Sequence, residues 1–110
     1  MVEMERIAPE GERLPEFLRP LFWDTDFAQL RIPDHEQYII ERILELGDAP
    51  DVRWMFRHFS REKIAQIVKT TRGLSQKSAR FWAFILDIPT EEVWCLSESF
   101  RQQFRQIWPW

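Results

Sequence analysis

The sequence predicts an all-α fold, arranged as one compact single-domain bundle of about five helices. In several stretches, apolar residues recur at the i, i+3, i+4, i+7 spacing of a buried helical face. No stretch alternates apolar and polar residues as a half-buried strand does. The length of 110 residues fits one domain. We therefore expect a flexible, charged N-terminal tail over residues 1–13 and a single helical domain over residues 14–110.

The first part of the domain, residues 14–23, is predicted to form a short turn or a broken helix, because Pro15 and Pro20 interrupt it. Its large apolar side chains are expected to pack on the domain: Phe17, Leu18, Leu21, Phe22 and Trp23. Asp24 or Asp26 is expected to cap a short helical turn that ends near Leu30.

Two helices follow, over residues 33–47 and about 50–59. Pro33 suits the first turn of the first helix, and Gly47 is its expected C-terminal stop. Asp48 is the expected N-cap of the second helix. The second helix is expected to bury one apolar face, made of Val52, Met55, Phe56 and Phe59.

Two further helices are predicted over about 61–71 and 76–87, with Ser60 and Ser75 as their N-caps. The fourth helix is expected to bury one stripe of side chains: Ala79, Trp82, Ala83 and Leu86. Its aromatic run 81–84 is assigned mostly to the same anchoring side. A short turn after Pro89 and a last helix from Ser97 complete the expected fold.

Charge is divided along the chain. Residues 53–82 hold eight Lys or Arg against one Glu, a net charge of +7, whereas residues 1–52 hold five against thirteen Asp or Glu, a net charge of −8. A cationic segment of this size favours an anionic partner, with nucleic acid as the first candidate. The alternative is that acidic and basic helices neutralise each other inside the domain.

The third and fourth predicted helices, joined by a turn containing Gly73, have the layout of a helix–turn–helix, whose second helix presents its N-terminal residues to the DNA major groove. The predicted nucleic-acid-binding residues are Arg72, Ser75, Gln76, Lys77 and Arg80. Gln can bind adenine, and Lys or Arg can bind guanine or phosphate. The same layout also turns a corner in any small bundle, so plain packing is the alternative.

Two other places are predicted to bind a partner. Arg53 and Arg57 share a helix face, with Trp54 and His58 on an adjacent face. This surface could hold RNA or phosphate by charge and stacking. Their alternative is pairing with carboxylates of the preceding helix. Trp108 and Trp110 at the C-terminus either fold back on the core or dock on another chain.

Catalysis is not predicted. No His–x₃–His pair, Gly-rich phosphate loop or nucleophile motif is present, and we expect no cofactor and no metal site. The single cysteine, Cys95, excludes an intramolecular disulfide and is expected to be buried. The absence of a signal-peptide pattern and of a long apolar run predicts a cytoplasmic protein without membrane contact.

Several motifs together resemble a family of small bacterial domains of unknown function. They are the Leu21–Asp24 segment LFWD, the segment IIERILELGD at 39–48, Trp54, and LSQKSARFWA at 74–83. Members of this family are often encoded beside nucleotidyltransferase-like toxins of the abortive-infection type. The resemblance implies an antitoxin or accessory partner, with no catalytic residues. Ser78 stands where Thr is commoner in the family pattern.

The sequence therefore predicts a non-enzymatic binding protein, an antitoxin-like partner of a nucleotidyltransferase-type toxin with a DNA-binding, autoregulatory element at residues 72–80. The expected partners are a protein and duplex DNA, and a homo-oligomer is compatible with the sequence. The alternatives are a stand-alone helix–turn–helix regulator and a protein-interaction module that binds no nucleic acid.

Overall fold

The computed structural model describes residues 12–96, and every regular element in that range is helical. The α-helices are α1 (Glu36–Leu46), α2 (Ala49–His58), α3 (Arg61–Thr70) and α4 (Gln76–Ile85). Four short 3₁₀ helices accompany them: Glu16–Phe22, Phe27–Gln29, Thr90–Glu92 and Trp94–Leu96. The predicted all-α fold is confirmed for these residues. The predicted last helix, Trp108, Trp110 and most of the predicted tail lie outside the described range.

The chain divides into two compact units between Met55 and Phe56, within α2. The core of the first unit contains buried apolar side chains from four helical elements: Leu18, Phe22, Phe27, Ile39, Ile40, Ile43, Leu44 and Met55. Glu12 contacts this unit, because its carboxylate accepts from the Arg31 guanidinium at 2.6 Å and its carbonyl accepts from Ile32 N–H.

The 3₁₀ helix Glu16–Phe22 buries fewer side chains than predicted. Leu18 and Phe22 are fully buried, whereas Phe17 is 50% and Trp23 is 70% exposed. A single short helix can turn only one face to the core, and Leu18 and Phe22 occupy that face. The expectation that Phe17 and Trp23 are packed against the domain was therefore wrong.

Helix α1 begins at Glu36, three residues later than predicted. The backbone N–H groups of Asp34 and His35 both donate to the Arg31 carbonyl, so a turn occupies residues 31–35. Pro33 lies inside that turn and not in the first helical turn. At the start of α2, the Asp51 carboxylate accepts from Asp48 N–H at 2.9 Å, which is one half of a capping box.

Gly47 ends α1 as predicted, but for a different physical reason. Its backbone is extended, with φ −74° and ψ 151°, so the left-handed conformation of a glycine stop is not used. A Cβ atom at this position would lie 2.7 Å from the Ile43 carbonyl oxygen and 2.9 Å from Ile43 Cγ2. Glycine is required here because the backbone passes too close to Ile43 for any side chain.

We expect Gly47→Ala to destabilise the protein by about 1–3 kcal/mol, the usual effect of forcing atoms into a packed region. Urea unfolding monitored by circular dichroism would measure it. Gly73→Ala is the matched control, because Gly73 is exposed and its φ is not positive. Equal stability of the two variants would contradict the steric account.

The second unit has its core between α3, α4 and the last two 3₁₀ helices. Its buried apolar residues are Phe59, Ile64, Ile67, Val68, Leu74, Ala79, Trp82, Ala83, Leu86, Ile88, Val93, Cys95 and Leu96. Both predicted N-caps are confirmed, since the Ser60 hydroxyl accepts from Lys63 N–H and the Ser75 hydroxyl from Ser78 N–H. Cys95 is fully buried, as predicted, and its thiol donates to the Thr71 carbonyl.

Helix α4 ends two residues earlier than predicted, in a Schellman motif. Ile88 N–H donates to the Ala83 carbonyl at 2.8 Å and Asp87 N–H donates to the Phe84 carbonyl at 3.3 Å. Asp87 carries the left-handed conformation of this motif, with φ 57°. Glycine usually occupies this position because a Cβ atom is unfavourable there.

Replacing Asp87 with glycine is therefore expected to stabilise the protein by about 0.5–1 kcal/mol. A differential scanning calorimetry comparison with the unmodified chain would show a higher thermal midpoint. Asp87→Ala serves as the control, since it removes the carboxylate and keeps the Cβ atom. A gain in the alanine variant equal to that in the glycine variant would locate the effect in the charge and contradict the backbone explanation.

Candidate functional site

The candidate site is the turn between α3 and α4 together with the first turns of α4. Two buried side chains anchor this turn. Leu74 is buried, and the buried Thr71 hydroxyl accepts from Gly73 N–H at 3.0 Å. Arg72 lies between these two anchors and Ser75 follows Leu74, and both are exposed. The turn therefore fixes the start of α4 relative to α3 within the second unit.

The predicted nucleic-acid residues are brought together at this place. Lys77 and Arg80 are exposed and lie three residues apart on one face of α4, and Gln76 is half-buried beside them. Gln76 and Arg80 also line a small pocket of about 140 Å³ with Thr90 and Leu96. The Ser75 hydroxyl is engaged as the helix cap, so its structural role is established by the geometry.

The Arg72 side chain is exposed but is held in place by a neighbouring ring. Its guanidinium carbon lies 4.4 Å from the centre of the Trp94 ring, within the range of a cation–π contact. Trp94 belongs to the 3₁₀ helix Trp94–Leu96, whose next residues Cys95 and Leu96 are buried. Stacking on a ring held in this way limits the positions that the Arg72 side chain can take.

Most of the basic segment is directed to solvent. Lys69 pairs with Glu92 at 3.3 Å. Among residues 12–96, no acidic side chain forms an ion pair with Arg53, Arg57, Lys77 or Arg80. The alternative of internal neutralisation is therefore not realised for these four cations within the described part of the chain.

The residues of the predicted Arg/Trp surface on α2 differ in exposure. Arg53, in the first unit, and Arg57, in the second, are both exposed. Trp54, however, is only 6% exposed and belongs to the buried set. The interpretation in which Trp54 offers a stacking surface beside the two arginines is wrong, because its ring is buried.

The outward face of α4 was missed by the sequence reasoning. Phe81 is 55%, Phe84 is 83% and Ile85 is 42% exposed, so these three residues form what we call the α4 apolar patch. The assignment of the aromatic run 81–84 mostly to the anchoring side was therefore wrong for Phe81 and Phe84. The helical period contains the signal, since residues 77, 80, 81 and 84 fall opposite the buried stripe of α4.

A second polar cluster, centred on Arg42 of α1, lies in the first unit. The Arg42 guanidinium donates to both carboxylate oxygens of Asp24, to the Leu21 carbonyl and to the Tyr38 hydroxyl, at 2.7–3.2 Å. The Tyr38 hydroxyl also hydrogen-bonds the Thr25 hydroxyl at 2.6 Å. These bonds attach the segment 21–25 to α1, which is a structural role.

The same contacts change the ionisation of Asp24. Hydrogen bonding from Arg42 lowers the pKa of the Asp24 carboxyl below its ordinary value of 3.8. A carboxyl with a lowered pKa stabilises the folded state at pH values above its ordinary pKa. That contribution is lost as the pH falls through the lowered value.

Within residues 12–96, no group of three His, Cys, Asp or Glu side chains is arranged to hold a metal ion. None of the helices in this range has the length and apolar character that crossing a membrane requires.

Residues 17–68 match a family of unknown function (DUF6922). The matched range runs from the first 3₁₀ helix through α1 and α2 to within α3, and includes the Arg42 cluster. It ends before the turn at 71–75, so α4 and the candidate site lie outside the match. No match was found among curated proteins or among solved structures.

Proposed function

We propose that this chain is a non-enzymatic binding protein that contacts duplex DNA through α3, the turn and α4. The observation that carries the proposal is the exposed pair Lys77 and Arg80, which no described acidic side chain neutralises. Phosphate contacts by such cations supply much of the affinity of DNA-binding proteins.

The position of these cations also supports the proposal. In a helix–turn–helix, the residues that reach base edges lie in the first turns of the second helix. Gln76, Lys77 and Arg80 occupy those turns in α4, and Arg72 precedes them in the turn. Arg72 is suited to a phosphate contact because its stacking on Trp94 reduces the entropy lost on binding.

The proposal includes a second role, as the antitoxin-like partner of a nucleotidyltransferase-type toxin. Its support is the motif resemblance together with the α4 apolar patch, which is not expected on a surface that contacts only DNA. A stand-alone regulator would have the DNA contacts without a protein partner. Arg53 and Arg57 remain candidates for the partner surface because both are exposed.

The DNA-binding proposal is tested by titrating the purified protein against a random duplex and against the DNA upstream of its own coding sequence, at two salt concentrations. Sequence-preferring binding that weakens steeply with salt is expected. The absence of binding to either duplex at low salt would contradict the DNA role.

A further inference from the structure

We propose that the α4 apolar patch docks an acidic amphipathic helix of a partner protein. The inference deepens the partner-binding role proposed above and rests on it. Phe81, Phe84 and Ile85 have no part in the proposed DNA contacts, whereas Lys77 and Arg80 are used in both roles.

The size of the patch is the first argument. The three side chains together expose roughly 350 Å² of apolar surface on one helix, comparable with the largest patches on typical monomers, which are often functional. Phe84 is 83% exposed. An exposed aromatic ring does not contribute the free energy of burial that it would give in a core or an interface. The patch lies on the side of α4 opposite the buried Ala79, Trp82 and Ala83.

The charges around the patch define the occupant. Lys77 and Arg80 precede it on the same face of α4, and α4 contains no Asp or Glu. At its other end, the exposed Arg61 donates from its guanidinium to the Ile85 carbonyl at 3.3 Å. Asp87, just beyond α4, is the nearest carboxylate in sequence. An apolar strip bordered by three cations is complementary to an apolar strip bordered by carboxylates.

Two other occupants have poorer charge complementarity. The chain's own C-terminal residues 97–110 contain Arg101 and Arg105 against one Glu98, so they bring further positive charge. A second copy of α4 would bring only cations to this face. A partner with an acidic amphipathic helix meets both the apolar and the charge requirement.

The test uses the full chain and three synthetic helix-forming peptides of about 18 residues, long enough to form a helix. All three carry Leu at i, i+3, i+4 and i+7, flanked by Glu, Gln or Lys. Fluorescence anisotropy is expected to show the Glu peptide binding at least about tenfold more tightly than the Lys peptide. Phe84→Ala should weaken that binding about tenfold or more, while Phe17→Ala, an exposed phenylalanine in the first unit, should not.

Charge reversal gives an independent arm. The double variant Lys77→Glu, Arg80→Glu should reverse the preference and bind the Lys peptide more tightly. Equal, Phe84-dependent binding of all three peptides would leave the partner-binding role in place and overturn the acidic partner. Binding of no peptide would overturn the inference, and DNA binding by the Phe84→Ala variant would show that the DNA role is separate. If the chain alone forms a dimer in sedimentation and Phe84→Ala abolishes it, the occupant of the patch is a second copy of the chain and the acidic partner is overturned.

Discussion

Replacing both Lys77 and Arg80 with alanine is expected to lower the affinity for duplex DNA roughly 30- to 300-fold at about 150 mM salt. Both side chains are exposed on α4 and neither is paired by a described acidic residue. If both contact phosphate, the slope of log K against log salt should become shallower by about 1.8, because each lost contact removes about 0.9. Electrophoretic mobility shift or anisotropy titrations at several salt concentrations measure both quantities.

Lys69→Gln is the matched control for this double variant. It removes a positive charge in the same unit, but from a lysine that already pairs with Glu92. Its DNA affinity should stay within about threefold of the unmodified protein, the effect of a change in net charge alone. If the control and the double variant lose equal affinity per charge removed, DNA binding depends on overall charge and the localised site is contradicted.

Arg42→Ala is expected to destabilise the first unit by about 2–3 kcal/mol, because it removes charge-assisted hydrogen bonds that hold the segment 21–25 on α1. It also removes the cation stacked 4.9 Å from the centre of the Trp23 ring. Chemical denaturation with fluorescence detection measures the loss.

Arg42→Lys separates geometry from charge. A lysine cannot reproduce the two-oxygen contact with Asp24 together with the bond to Tyr38. Most of the stability that Arg42 contributes should therefore still be lost. Arg19→Ala is the control, since Arg19 forms an exposed pair with Glu16 and lies 4.7 Å from the centre of the Phe27 ring, so a much smaller loss than for Arg42→Ala is expected. Full stability in Arg42→Lys would show that the charge alone matters.

The helical fold could be predicted because the local signals agree with one another. Ser60 and Ser75 precede apolar stripes of period 3.6, and the structure uses both hydroxyls as caps. The ends of the helices were harder to predict from the sequence, because they depend on backbone contacts. The steric requirement at Gly47 and the left-handed Asp87 arise from where the chain goes next, which no local residue pattern records.

The residues that make up the candidate site were predicted more accurately than the exposure of the side chains around them. Lys77 and Arg80 are exposed near each other, since they fall opposite the stripe of Ala79, Trp82 and Ala83. The exposure of the large aromatic residues differs from the prediction in both directions. Trp54 was offered as part of a stacking surface and is buried, while Phe84, in the run 81–84 that was assigned mostly to the anchoring side, is exposed. Hydrophobicity alone does not distinguish a core residue from an interface residue, because both lose contact with water in the functional state.

The proposal that α4 is the binding surface is tested most directly by following backbone amide resonances of the isotope-labelled full chain during titration with duplex DNA. We predict that the largest shifts fall on residues 72–80, and that the Lys77→Ala, Arg80→Ala variant loses them. The largest shifts falling within residues 12–55, or no shifts at saturating low-salt DNA, would contradict it.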